Sequence, residues 1–217
     1  MWLTTMQEID LIYTAFSLLV LLFSVVAHEV SHGYMAQHLG DPTARLAGRL
    51  TLNPVSHIDP VGSILVPIVT ALLPGSFIFG WAKPVPYNPY NLRDQRWGDA
   101  KVALAGPLTN IGIAVIFAIL LRLGGDFFAG PMAALMHLII FINIILAFFN
   151  LVPIPPLDGS KVLFAFLPTE WSRVQDFLER YGFFILLILV FLIPRILYSL
   201  VAPVVGFLLG LITGIGF

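Results

Sequence analysis

The sequence predicts an all-α integral membrane protein: a transmembrane helical bundle of roughly four to five spans, with a re-entrant hairpin and a small membrane-surface β element. Three observations carry this prediction. Of 217 residues, 59% are hydrophobic and only 11% are charged, where soluble domains carry about 25% charged residues. Several uncharged runs are long enough to cross a bilayer. Proline and glycine clusters punctuate the intervals between them.

Residues 11–27 contain no charged side chain. The helical pattern continues to about Leu39 and stops at Gly40-Asp41-Pro42, a strong terminator. At ~1.5 Å per residue this helix is long enough for a bilayer core of ~30 Å. The residues before it include Glu8 and Asp10 and no Lys or Arg. A secretory signal has a basic n-region, so the first apolar run is expected to be retained. Residues 44–59, with Gly48 and Asn53-Pro54 as breakers, read as a short strand or hairpin at the membrane surface.

Residues 61–80 are apolar but interrupted by Pro67 and Pro74-Gly75, and a polar, proline-rich loop follows them. Further spans are expected over about 100–122 and 132–152, then an amphipathic stretch at 159–180. The last apolar block, 182–217, is broken by Pro194-Arg195 and Pro203 and reads as one bent span or two short ones. The whole chain, 1–217, is expected to be one membrane-embedded domain, with a core at about 10–165 and C-terminal apolar helices at 182–217.

Charge asymmetry orients the bundle. If residues 61–80 dip into the membrane and return, nine basic residues share one face: Arg45, Arg49, Lys83, Arg93, Arg96, Lys101, Lys161, Arg173 and Arg180. Only Arg122 lies opposite, and Arg195 falls within the last block. If the segment crosses, the basic residues split between the faces. The re-entrant arrangement is therefore expected, with the N-terminus outside and the basic loops in the cytosol.

Composition also excludes chemistry. There is no cysteine, so disulfides, thiolate catalysis and Cys-ligated metal are ruled out. The net charge of −1 gives no electrostatic footprint for nucleic acid. A metal site must draw on Asp, Glu and the five histidines, at 28, 32, 38, 57 and 137.

The sharpest motif is His28-Glu29-Val30-Ser31-His32. Residues four apart share a helix face, so both imidazoles can reach one cation. Glu29 is placed to hold a water beside it without ligating. Ionisable groups at membrane depth are costly, which raises the weight of this motif at the end of an apolar helix. The plain alternative is a helix that has emerged at the interface with these side chains solvated. His38 lies about 600° round the helix from His32 and faces elsewhere. His57 and His137 read equally as ordinary polar residues. Asp158 ends Asn150-Leu151-Val152-Pro153-Ile154-Pro155-Pro156-Leu157-Asp158-Gly159, where prolines break a helix just after an apolar span. Broken helices at membrane depth line wet cavities or lie buried in protein; an Asp-Gly turn at a helix boundary is the ordinary alternative.

HEVSH on an apolar helix, Gly106-Pro107-Leu108-Thr109-Asn110 at the start of another, and the NLVPIPPLDG stretch together resemble the site-2 protease family of intramembrane metalloproteases. The resemblance covers about residues 15–165, in a compact form lacking a PDZ-like insertion or CBS-like tail. It implies one Zn2+ per chain, held by His28, His32 and Asp158, with Glu29 as the catalytic base. It further implies that Asn150 positions substrate or stabilises an oxyanion, and that Asn110 lines the same cavity. Both asparagines read alternatively as hydrogen bonds between helices. The implied reaction is hydrolysis of peptide bonds in or near transmembrane segments, in the bilayer of a prokaryotic cell. With the N-terminus outside, His28 and His32 come late in the first helix, so the active site is expected toward the cytosol. The expected partners are transmembrane protein substrates and lipid, with no nucleic acid. A strand edge in 44–58 is expected to pair with the unwound substrate. CAAX-type membrane proteases take a later Glu in an ExxxH segment; here neither Glu170 nor Glu179 is followed by such a His. A zinc transporter or an inactive membrane scaffold is the non-enzymatic alternative.

Overall fold

Helix α1 (Trp2–His38) is the expected first span, extended at its N-terminal end. Among the residues that the computed structural model describes (2–72, 80–128 and 130–191, with Pro203, Gly206, Phe207 and Gly210), no strand is present. Among these described residues, three helical stretches are long and apolar enough to cross a membrane: Leu11–His38, Gly98–Gly124 and Pro131–Asn150. The chain is thus an all-α membrane protein in its described parts.

The surface hairpin expected at 44–59 takes another form. Thr43–Leu46 make a single helical turn, α2, with Ala44 fully buried. Gly48 has φ of 66°, and Pro54–His57 form a 3-10 turn capped by Asn53. The breakers turn the chain locally instead of joining two ladders, because Pro54 offers no N–H to a strand partner.

A π-helical turn at Pro60–Leu65 leads into α3 (Val66–Ala71). Asp59 starts it, its carboxylate accepting from the N–H groups of Val61 and Gly62 at 3.0 and 2.6 Å. The expected bend at Pro74-Gly75 lies outside the described residues. The far side of that gap returns to its beginning: Trp81 N–H donates to Gly62 O at 3.0 Å, and Ser63 Oγ donates to Trp81 O at 2.9 Å.

Helix α4 (Gly98–Gly124) is the hub, packing against α1, α5 (Pro131–Asn150) and α6 (Asp158–Phe166). Small residues make this possible. Ala114 and Ala118 meet Ile140 and Ile144 of α5 in a fully buried seam, the close approach that membrane helices use in place of a hydrophobic driving force. The amphipathic stretch expected as one piece is divided. Helix α6 ends at Phe166 because Pro168 holds Leu167 extended (ψ 138°). Helix α7 (Ser172–Phe191) joins the rest of it to the start of the last apolar block. Beyond Phe191 that block lies almost wholly outside the described residues. Leu186 and Val190 of α7 pack on Leu157, next to the first residue of α6.

One buried carboxylate ties the end of α1 to the segment after the hairpin. Asp41 is fully buried. It accepts from the Thr43 hydroxyl and N–H, from Asn88 N–H at 2.7 Å and from Asn91 Nδ2 at 2.8 Å. Burial raises its pKa, but these donors outweigh burial and hold the carboxyl below the usual carboxylate range. A lowered folded-state pKa contributes stability above the unfolded value of about 3.9, and that contribution is lost as pH falls through the folded value. Asp41→Asn places an amide donor among donors and is expected to cost on the order of 2 kcal/mol. In detergent its thermal midpoint should fall below wild type at neutral pH, with the gap closing as pH falls into the acid range.

Candidate metal centre

His28 and His32 lie one turn apart on α1, both buried against α4. Their ring centroids are 4.7 Å apart with planes at 87°. Gly106 forms the wall behind them. A Cβ at this position would lie 2.5 Å from His28 Nε2 and 2.6 Å from His32 Cε1.

The outward nitrogens are held first. His32 Nδ1 lies 2.7 Å from Val102 O. A backbone carbonyl only accepts, so Nδ1 carries the proton. Pro107, inside α4, has no N–H for the carbonyl four residues back, which loosens the ladder beside Val102. His28 Nδ1 lies 2.6 Å from Asn110 Oδ1. The Asn110 amide is oriented by its own donations, to Asn143 Oδ1 at 2.9 Å and Ser24 O at 3.3 Å. His28 Nδ1 therefore donates as well. In both neutral rings Nε2 is left with a lone pair.

Both lone pairs face one oxygen. Asp158 Oδ2 lies 3.0 Å from His28 Nε2 and 3.3 Å from His32 Nε2. Protons on both rings, or one cation, can hold three such atoms together. A tetrahedral zinc site with bonds of ~2.0–2.2 Å has ligand-to-ligand edges of about 3.3–3.6 Å. Two imidazoles and a carboxylate, each imidazole steadied through its other nitrogen, form a donor set that fits zinc. Asp158 opens α6, where the helix dipole favours its charge. Burial raises its pKa; with protons on both Nε2 atoms in place of a cation, hydrogen bonds from His28 and His32 prevail and hold the carboxyl at about 2. It reaches the pair because Gly159 packs directly on the bend after α5. A Cβ on Gly159 would fall 2.1 Å from Leu151 O.

Glu29 flanks the pair. Ligand atoms of His28, Glu29 and His32 all lie within 4.8 Å of one another. Glu29 is restrained differently, its Oε2 accepting from Val85 N–H at 3.0 Å. Of the two carboxylates, Asp158 is the one that meets both Nε2 atoms.

The other sequence candidates have other neighbours. Asn110 is fully buried, with its carbonyl on His28 and its amide on Asn143 and Ser24. Asn150 ends α5 and donates to Leu146 O at 2.9 Å. His38 is exposed, His57 bonds Thr51 O, and His137 bonds Ala133 O. Sequence reasoning missed Asn143, Val102 O and Val85 N–H. Only Asn143 left a signal, as a carboxamide in the interior of a 20-residue apolar helix; the other two are backbone groups and invisible to side-chain patterns.

Gly106→Ala is expected to displace both rings and lower bound zinc severalfold. Gly112→Ala on the same helix meets nothing within 4 Å and should leave the metal content unchanged. Elemental analysis of the two purified variants makes the comparison.

A family model described as Peptidase family M50 matches residues 124–189. A Bacillus subtilis protein called "Putative zinc metalloprotease YwhC" is 36% identical over 178 residues, covering 79% of this chain and 78% of the relative. MJ0611 of Methanocaldococcus jannaschii, carrying the same description, is 33% identical over 75% of this chain and 79% of its own length. Rip2 of Mycobacterium tuberculosis is 30% identical over 81% of this chain and 66% of its own length. No solved structure matches. With two relatives this similar across most of their length, and with the paired histidines at the close of an apolar helix, the chain belongs to peptidase family M50, the site-2 proteases.

Proposed function

We propose that this protein is an intramembrane zinc endopeptidase that hydrolyses peptide bonds in or near the transmembrane segments of membrane proteins. The observation that carries this reading is the meeting of two buried, tautomer-fixed imidazoles on one part-buried carboxylate oxygen, with a second carboxylate beside them. His28, His32 and Asp158 would hold the metal. Bound there, zinc supplies Lewis acidity toward a peptide carbonyl and acidifies a water molecule.

Glu29 does the proton work. With Oε2 pinned by Val85 N–H, Oε1 is left to take the proton of the attacking water and pass it to the leaving amine nitrogen. Asn110, committed to His28, fixes a ligand's orientation. Asn150 keeps one amide hydrogen and its carbonyl for substrate, beside the bend that seats Gly159. Burial of the histidines shields the site from bulk water, so charges there act at low dielectric.

Glu29→Gln should keep zinc and abolish cleavage of a model transmembrane peptide. Asp158→Ala should lower bound zinc, and Asn150→Ala should keep zinc and slow cleavage. Full activity of Glu29→Gln would overturn the mechanism. Zinc flux in vesicles with no proteolysis would favour a transporter.

For topology, we propose a single domain with a re-entrant segment at 61–80 and basic loops in the cytosol. The bond from Trp81 N–H to Gly62 O supports it, since the segment begins and ends at one level. The apolar helix Pro60–Thr70 spans only about 17 Å, too short to cross. The site then lies toward the cytosolic side of a prokaryotic membrane, because His28 and His32 come late in a helix entering from outside. The chain has no cysteine, and Tyr90 is exposed. Tyr90→Cys should therefore react with an impermeant maleimide in inside-out vesicles and stay unlabelled in intact cells; labelling of intact cells would reject the topology.

A further inference from the structure

A chain of amides runs from the metal centre into the seam between α4 and α5, and every link has one direction. Asn143 Nδ2 donates to Ile139 O at 2.9 Å. A backbone carbonyl cannot donate, so this bond sets which way the Asn143 carboxamide faces. Its Oδ1 then accepts from Asn110 Nδ2 at 2.9 Å. That turns Asn110 Oδ1 toward His28 Nδ1, 2.6 Å away. Asn110 and Asn143 are both fully buried.

We propose that Asn143 is a positioning residue for the metal centre: through Asn110 it selects the tautomer of His28 that turns the Nε2 lone pair toward Asp158. The inference rests on the reading of His28 as a ligand. Without Asn143, the Asn110 amide is anchored by Ser24 O alone, at 3.3 Å. A half-turn about its side-chain bond then exchanges oxygen for NH2 in front of His28. The ring answers by accepting at Nδ1 and placing its proton on Nε2, where it blocks a metal bond. His32 is fixed by a backbone carbonyl and has no such freedom. The metal's hold on His28 is therefore the more vulnerable of the two.

An ordinary helix-to-helix hydrogen bond between the asparagines would affect stability alone. The test separates the two roles. Zinc affinity is measured on detergent-solubilised protein by competition with a chromogenic chelator, and the cobalt(II) absorption spectrum reports coordination. Asn143→Leu should weaken zinc binding by about tenfold or more, the scale seen when partners of metal ligands are lost. Its cobalt spectrum should lose intensity. Asn143→Asp, which keeps an acceptor for Asn110 and in its protonated form a donor for Ile139 O, should recover most of the affinity. Ile144→Ala loosens the same seam without touching the amide chain. It should lower the thermal midpoint and leave zinc affinity unchanged. Asn143→Ala serves as the smaller lesion if the leucine variant does not accumulate.

Unchanged zinc affinity in the Asn143 variants overturns the proposal, as does an equal loss in Ile144→Ala. His28→Ala tells this failure from failure of the site itself. If His28→Ala loses zinc while the Asn143 variants keep it, only the amide chain is rejected. If His28→Ala keeps zinc, the ligand assignment falls.

Discussion

The structure depends on how closely α4 can approach α1. Gly106 brings the α4 backbone against the edges of two imidazoles, with no room for a methyl group between. At that distance Val102 O and Asn110 can each reach one ring nitrogen. Buried polar groups in a membrane protein must find partners inside the protein. The close approach supplies them and, in the same contacts, fixes the direction in which each remaining lone pair points. A wider separation of the helices would leave His28 and His32 without those partners.

The second requirement is a carboxylate that arrives from elsewhere in the chain. Helix α5 ends at Asn150, the chain bends through three prolines, and α6 begins with Asp158. The bend closes because Gly159 packs against its backbone, and it is backed by Leu186 and Val190 of α7. The break in the apolar helix is therefore what brings an acid into a buried site.

A strap spanning residues 81–91 holds the opposite side. Over 81–85 its odd residues bond inward: Trp81 N–H to Gly62 O, Lys83 N–H to His57 O, Val85 N–H to Glu29. Pro84 and Pro86 occupy the alternate positions, where an N–H would face away, and they hold Lys83 and Val85 extended. Further along, the Tyr87 hydroxyl donates to Asp99 and accepts from Lys161 Nζ, joining the strap to α4 and to the helix that carries Asp158. Burial first, and then the Asp99 carboxylate, push the Tyr87 pKa up, so the phenol remains a donor at physiological pH. Glu29 and Asp158 are thus connected through a segment that carries no catalytic side chain.

The sequence by itself determined the membrane class, the main spans and the His28-Glu29-His32 face. Each depends on local periodicity: apolar run length for the spans, and the four-residue repeat of a helix for the histidines. It also marked Asp158, through the prolines around it. Only the tertiary structure decided that 44–59 turns instead of pairing, since Pro54 and Gly48 act against partners the sequence does not name. It also decided which nitrogen of each imidazole faces the site, that Asn110 is committed to His28, and that Asn143 stands behind it. Those facts rest on contacts between residues 33 to 130 positions apart, including backbone groups that every residue possesses. Local pattern can place a side chain on a helix face, but what it bonds there is set by the helix packed against it.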